Sequence, residues 1–188
     1  MSILNVDKIQ PIGGGSTITV DATDIQATSS TITASSFSGS GANLTGISGG
    51  KVLQVIAGTT NTRVGATSNS WLDTNLSASI TPSASSSKVL VMVTGDVQAD
   101  AWKDGAVTVF RGGTGGTNLG SSTLGMHMIK GGNDKGHSVS FNVLDSPSTT
   151  SATSYLVKII NSTGSGNIYL PYNNGGNFNT IILMEIGA

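Results

Sequence analysis

Residues 88–97 read KVLVMVTGDV and residues 180–186 read TIILMEI. Each is an almost unbroken apolar run, rich in β-branched side chains and far too short to cross a bilayer. Runs of this length and composition predict buried strands, here the two central strands of a sheet. Working outward, further strands are expected at 52–57, 70–80, 105–111, 123–130, 138–144, 154–161 and 167–170, and the last run extends over 178–186. Between them lie stretches of Gly, Ser, Asn and Pro that make turns. Alternation places Val89, Val91, Val93, Val107, Val109, Val139, Phe141, Leu156, Ile181 and Leu183 on the inward side. The expected fold of residues 51–188 is an all-β antiparallel β-sandwich head, jelly-roll-like in its connections.

Composition agrees. The chain has 188 residues, with 26 Gly, 27 Ser and 23 Thr, and Glu185 is its only glutamate. A chain that hardly uses Glu is not building amphipathic helices. Charged residues are 10% of the total, against about 25% in ordinary soluble domains. Nine Lys and Arg balance ten Asp and Glu, and they are scattered. No basic patch is available to neutralise phosphates, so no nucleic-acid partner is expected. Cysteine is absent, which removes disulfides and thiolate metal sites. The first residues lack a basic segment followed by a long apolar core. Synthesis in the cytoplasm, with no signal peptide and no membrane insertion, is the expectation.

Residues 1–34 read differently. Ile3, Val6 and Ile9 precede Pro11 and a glycine turn, and STITV at 16–20 returns as STITA at 30–34. So thin an apolar stripe cannot form a core alone. The segment is either disordered or packed against copies of itself, and its β-branched content and regular spacing favour packing. Residues 35–50, SSFSGSGANLTGISGG, have the composition of a linker, yet Phe37, Leu44 and Ile47 stand in it as bulky apolar pegs. In a monomer these side chains would stand exposed, with nothing in the segment to bury them.

Reactive chemistry is sparse. His127 and His137 would approach each other if strands 123–130 and 138–144 formed a hairpin, and Asp134 could then be a third metal ligand. Two surface or cross-strand histidines are the plainer reading, and no metal or other cofactor is expected. Asp96, Asp100 and Asp104 recur every four residues. They could form a calcium loop or a pair of glycosidase carboxylates, but solvated loop charges are the expectation. RGGTGGT at 111–117 lacks the Gly-Lys-Ser/Thr ending of a phosphate cradle and reads as a flexible loop. No G-x-S-x-G elbow marks a nucleophilic serine, and no enzymatic activity is expected. What remains is binding. Aromatic faces beside Asn and Asp suit sugars, whose C–H faces stack on rings while their hydroxyls take hydrogen bonds. Trp102 and Asp104 in QADAWKDG, and Tyr172, Asn173 and Asn174 in LPYNNGGNFN, fit that description in loops. Trp71 and Tyr155 read as core or interface residues.

Three stretches together resemble bacteriophage tail-fibre proteins, especially those of phages of cyanobacteria and marine bacteria. ILNVDKIQPIGGGSTITV at 3–20 resembles their short opening segment. FSGSGANLTGI at 37–47 is similar to a peptide, F-x-G-x-G-x-x-L-T-G-[IL], that recurs in them. Residues 52–99 resemble their distal β-domain, with Trp71, Asp73-Thr74, Leu76, Ile80 and Pro82 followed by a serine run before Lys88. The resemblance implies a parallel homotrimer: an intertwined, β-rich stalk at 1–34, a junction at 35–50 held by Phe37, Leu44 and Ile47, and the head at 51–188. It also implies a virion component attached to other tail or baseplate proteins through its N-terminal end, with Ile3, Val6 and Ile9 as apolar contacts. The head would face host surface glycan during adsorption. The shortness of the chain leaves a second reading open, a connector or decoration fibre that contacts only other virion proteins.

Overall fold

The computed structural model describes residues 52–132, 135–173, 175 and 178–187. The expectations for the stalk and junction, with Ile3, Val6, Ile9, Phe37, Leu44 and Ile47, lie outside the described residues. So do those for Asp134 and Asn174.

Among the described residues the protein is all-β. Eleven strands run in chain order as β1 (Val52–Thr60), β2 (Val64–Ala66), β3 (Leu72–Ile80), β4 (Lys88–Ala99), β5 (Gly105–Arg111), β6 (Thr117–Asn118), β7 (His127–Ile129), β8 (Lys135–Asp145), β9 (Thr153–Asn161), β10 (Ile168–Leu170) and β11 (Asn179–Ile186). They form two antiparallel sheets. In the first, β11 and β4 are central as expected, with β1 beside β11 and β8 beside β4. Because β8 occupies one edge of β4 along Val89–Ala99, β10 must continue the β11 lane on the other edge, and β2 extends the β1 lane. The second sheet runs β3-β9-β5, with β6 and β7 side by side along the free edge of β5.

The core lies between the sheets. Val89, Val91, Val93 and Val97 of β4 alternate inward to meet Ile181 and Leu183 of β11, and Val107 and Val109 of β5 face them with Val157 and Ile159 of β9. Each such side chain contributes roughly 1.5–3 kcal/mol on burial. Val139 is buried and Phe141 packs partly buried against the same cluster. Leu156 is a correction: Tyr155 and Val157 point inward and Leu156 takes the opposite face. The phase is set by the Tyr155 hydroxyl, which reaches the buried Asp145 of β8. β7 and β8 are a second correction. They do not pair as a hairpin, because β7 joins β5 in one sheet and β8 joins β4 in the other.

Polar bolts tie the sheets together near the start of β1. Asp145 accepts from Tyr155 Oη at 2.7 Å and from Arg111 Nη1 at 2.8 Å, linking β8 to β9 and β5. Burial first, and then the neighbouring Asp145 carboxylate, push the Tyr155 hydroxyl far above its ordinary pKa. Gly58 serves close approach. A Cβ there would lie 2.0 Å from the Ser77 carbonyl oxygen, so glycine lets β3 pack directly on β1.

The registers also orient the molecule. Val52 pairs with Ile186 and Ile186 with Lys88, which puts the start of β1, the end of β11 and the loops at 81–87 and 146–152 at one end. Ala99 pairs with Lys135 and Ile168, and Gly105 pairs with Ile129 and Asn161. The segments at 100–104, 130–132 and 162–167 therefore gather at the opposite end.

Candidate ligand-binding loops

Trp102 sits at that opposite end, in the tight turn between β4 and β5. Lys103 N donates to Asp100 O at 3.1 Å to close the turn, and Trp102 N donates to Gly132 O at 3.0 Å. Its backbone is left-handed, with φ of 62°, a region that a bulky side chain occupies at a cost of order 1–3 kcal/mol. The ring is nevertheless 72% exposed. A strained backbone normally accompanies a buried constraint; here it delivers an indole to solvent.

The surrounding loops are pinned by aspartates. Asp100 accepts from Asn167 N at 2.8 Å and from Asn167 Nδ2 at 3.0 Å. Asp104 accepts from Lys130 Nζ at 2.7 Å and from Gly131 N at 3.1 Å. The Lys130 and Gly131 donors hold its carboxyl below the ordinary carboxylate range. Asp96 accepts from Tyr172 N at 3.1 Å. The expectation of solvated loop charges is thus corrected: each of the three clamps a different distant loop. Lys103 extends across Gly166 and donates to Ser165 Oγ at 2.9 Å.

The binding residues expected from sequence separate into groups. Trp102 and Asp104 share one turn, but Asp104 is committed to Lys130. The Tyr172 ring lies over Gly136, where a Cβ would come within 2.9 Å of it, so that edge of the ring packs on the β8 backbone. Asn173 is exposed. The Gly132 carbonyl accepts from Trp102 N, while Gly136 of β8 lies beneath Tyr172. One aromatic residue was missed: Phe178, which reads in sequence as the first residue of the last strand. It precedes β11 and is 64% exposed. Its flanks, NNGGN before and Asn179 after, are the same signal that singled out Tyr172.

Elsewhere, Trp71 donates its indole N–H to Ser122 O and meets Phe110 edge to face. The 111–117 stretch is anchored rather than loose. Gly112 N donates to Ser154 O at 2.8 Å, the Thr114 hydroxyl donates to Asp73, and the Thr114 carbonyl accepts from Lys158. His127 and His137 lie on the inner faces of different sheets. Burial, and then the charge of His137, lower the pKa of His127. Among the described residues no group of three or more His, Cys, Asp or Glu is placed to hold a metal ion.

No protein-family model matches the chain, and no curated protein matches it. Among solved structures it is similar to a chain in a structure of infectious bursal disease virus, Gx strain, at 14% identity and a TM-score of 0.36. The match covers 72% of this chain and 40% of that one, so the chain spans two fifths of the length of that relative. A likeness this loose carries no inference about function.

Proposed function

We propose that the chain is a homotrimeric bacteriophage tail-fibre protein whose head binds host surface glycan. The observation that carries this reading is the placement of an exposed, strained Trp102 at the end of the sandwich opposite the start of β1. A head joined to the rest of its chain at one end, and presenting aromatic and amide side chains at the other, has the polarity that adsorption requires. The strand order supports it too: β1-β11-β4-β8 against β3-β9-β5-β6/β7 is the jelly-roll order, a fold used by lectin and capsid domains. Trp102 is the stacking platform, and Asn173, Tyr172 and Phe178, in the separate connection between β10 and β11 beside Asp96, would offer further amide and aromatic contacts. No bond is broken. Asp96, Asp100 and Asp104, the residues a glycosidase would need, are loop clamps. Each site binds weakly, and several heads on one virion raise the avidity.

The test uses the full-length protein, fluorescently labelled, on lipopolysaccharide and capsular polysaccharide from marine bacterial and cyanobacterial strains. Saturable binding to some strains, weakened about tenfold or more by Trp102→Ala with the melting temperature unchanged, is the expected result. Saturable binding that Trp102→Ala leaves intact would remove the proposed site. Binding to no strain, together with capture by purified tail or baseplate proteins, would favour the connector instead.

A further inference from the structure

A second place on the head is shaped to hold a small molecule. Between the end of β5, the start of β9 and the segment at 146–152 lies a cavity of about 340 Å³, within the range of small-ligand sites. β5 ends here with Arg111 and begins at Gly105, beside the Trp102 turn, so the cavity and Trp102 lie toward opposite ends of the sandwich. Arg111 dominates its chemistry. Nη1 donates to Asp145 Oδ1 at 2.8 Å and to the Ser146 carbonyl at 3.2 Å, which uses both of its protons and fixes the guanidinium. Nε and Nη2 donate to no group among the described residues, and the side chain is 29% exposed. Those two nitrogens form an edge that takes a carboxylate through parallel hydrogen bonds.

The hydroxyls of the wall are only partly used. Thr149 Oγ1 accepts from Ser151 N at 3.0 Å, which leaves its proton to donate. Thr153 Oγ1 donates to Ser151 O at 3.1 Å, which leaves its lone pairs to accept. Ser154 Oγ makes no hydrogen bond among the described residues. Gly112, with φ of 89°, is held through its N–H on Ser154 O at 2.8 Å and adds no side chain to close the opening.

We infer that this cavity binds an acidic sugar, a uronic acid residue, with Arg111 on its carboxylate and Thr149, Thr153 and Ser154 on its ring hydroxyls. Three features select that class. A free amino acid would bring an ammonium group, and the nearby carboxylate, Asp145, is already occupied by Arg111 and Tyr155 Oη. A phosphate dianion calls for more positive charge than one guanidinium already paired with Asp145 supplies. An apolar acid would displace water from the wall hydroxyls and leave them without partners, whereas Pro147 and Ala152 give ring C–H groups a surface to lie on. The site needs neither Trp102 nor the fibre reading, so each can fail without the other.

The test is calorimetric titration of the full-length protein with methyl β-glucuronide, its neutral counterpart methyl β-glucoside, inorganic phosphate and N-acetyl-aspartate amide. The glucuronide should bind with a Kd of about 1–10 mM, and the other three at least about tenfold more weakly. Arg111→Lys keeps a cation for Asp145 but loses the two-point edge, and Ser154→Gln fills the cavity without touching Asp145. Each should weaken the glucuronide at least about tenfold, with melting confirming the fold; should Arg111→Lys disturb it, Ser154→Gln decides. Both are measured again in the Trp102→Ala background, so that sugar stacked at the far end is not counted. Equal binding of glucuronide and glucoside would mean that the carboxylate is not recognised, and overturn the inference. Phosphate or the acetylated aspartate binding as tightly as the glucuronide would make this a general anion or acidic-peptide site, and also overturn it. No binding of the glucuronide up to about 50 mM, or binding that both cavity variants leave intact, would remove the site.

Discussion

Glu185 offers the sharpest test of how the head is held together. Its side chain is fully buried, yet its carboxylate is supplied with donors. Ser83 gives its backbone N–H at 2.7 Å and its hydroxyl at 2.6 Å to one oxygen, and Gln54 Nε2 donates to the other at 2.6 Å. Burial works to raise the pKa, but the donors from Gln54 and Ser83 outweigh it and carry the group from 4.5 to about 2. The folded pKa is depressed, so the stabilisation is fully present above pH 4.5 and is lost as the pH falls toward 2. At about 1.4 kcal/mol per pH unit the shift corresponds to about 3 kcal/mol at neutral pH. Glu185→Gln removes the charge and turns an amide NH2 toward the Gln54 NH2. Gln54 cannot flip to compensate without giving up its bond to Thr81 O at 2.7 Å. The variant should therefore lose about 2–3 kcal/mol in urea unfolding of the full chain at pH 7, followed by tryptophan fluorescence at fixed protein concentration. The gap to wild type should close as the pH is lowered from 4.5. A variant within 0.5 kcal/mol of wild type, or a gap that does not change with pH, would refute the assignment.

Other expectations follow from single contacts. Tyr155→Phe deprives the buried Asp145 of one donor and should lower stability by about 2 kcal/mol, read by the same unfolding assay. Gly58→Ala sets a methyl group against the Ser77 backbone, where no side chain can give way, and should cost about 2 kcal/mol; a neutral result would mean that β3 and β1 separate freely. Lys158 donates to Asp73 at 2.7 Å and lies over the Phe110 ring. Lys158→Ala should cost about 1–2 kcal/mol by removing the charged donor of the part-exposed Asp73, which keeps the Thr114 hydroxyl, and loosen the 112–116 loop, seen as faster amide exchange there. Phe37→Ser or Leu44→Ser should weaken the oligomer in sedimentation without lowering the melting temperature of the head; unchanged association would make 35–50 a linker alone.

The central strands were legible because KVLVMV and TIILMEI state their burial locally: alternating or continuous apolar residues need no partner to be recognised. Leu156 was misplaced because the phase of SYLVKIIN depends on a tyrosine hydroxyl finding Asp145 ten residues away. The 64–66 and 117–118 strands escaped notice because RVGAT and TN carry no periodicity, and their pairing is imposed by β10 and β5. Whether 123–130 and 138–144 form a hairpin was undecidable from sequence for a related reason. A glycine-rich turn between two strands is equally consistent with a crossing from one sheet to the other, and only the partners β5 and β4 decide it. For the candidate site, the exposure of Trp102 was legible in its polar turn sequence. The geometry of the site was not, since Asp96, Asp100 and Asp104 reach residues 76, 67 and 26 positions away.

These long-range bonds bear on how the loops could work. Asp73, Asp96, Asp100, Asp104, Asp145 and Glu185, every carboxylate among the described residues, accept hydrogen bonds from other parts of the chain. A protein with so few charges is using them as fasteners rather than for solubility. Three of the six hold the loops around Trp102 and Tyr172, where no hydrophobic core is available to do so. The consequence for binding is entropic. Ordering a mobile loop side chain on contact costs about 0.5–1.5 kcal/mol each, a heavy deduction from a weak, shallow sugar site. A Trp102 turn already fixed by Gly132, Asp100 and Lys103 avoids that loss in every head. If the chain is the glycan-binding fibre proposed above, multivalency would multiply the saving, because each additional contact with the cell surface would begin from the same pre-ordered state. Loosening a clamp, as in Asp100→Ala, should therefore weaken glycan binding more than its small effect on melting temperature suggests; proportional losses in both would show that pre-ordering plays no separate part.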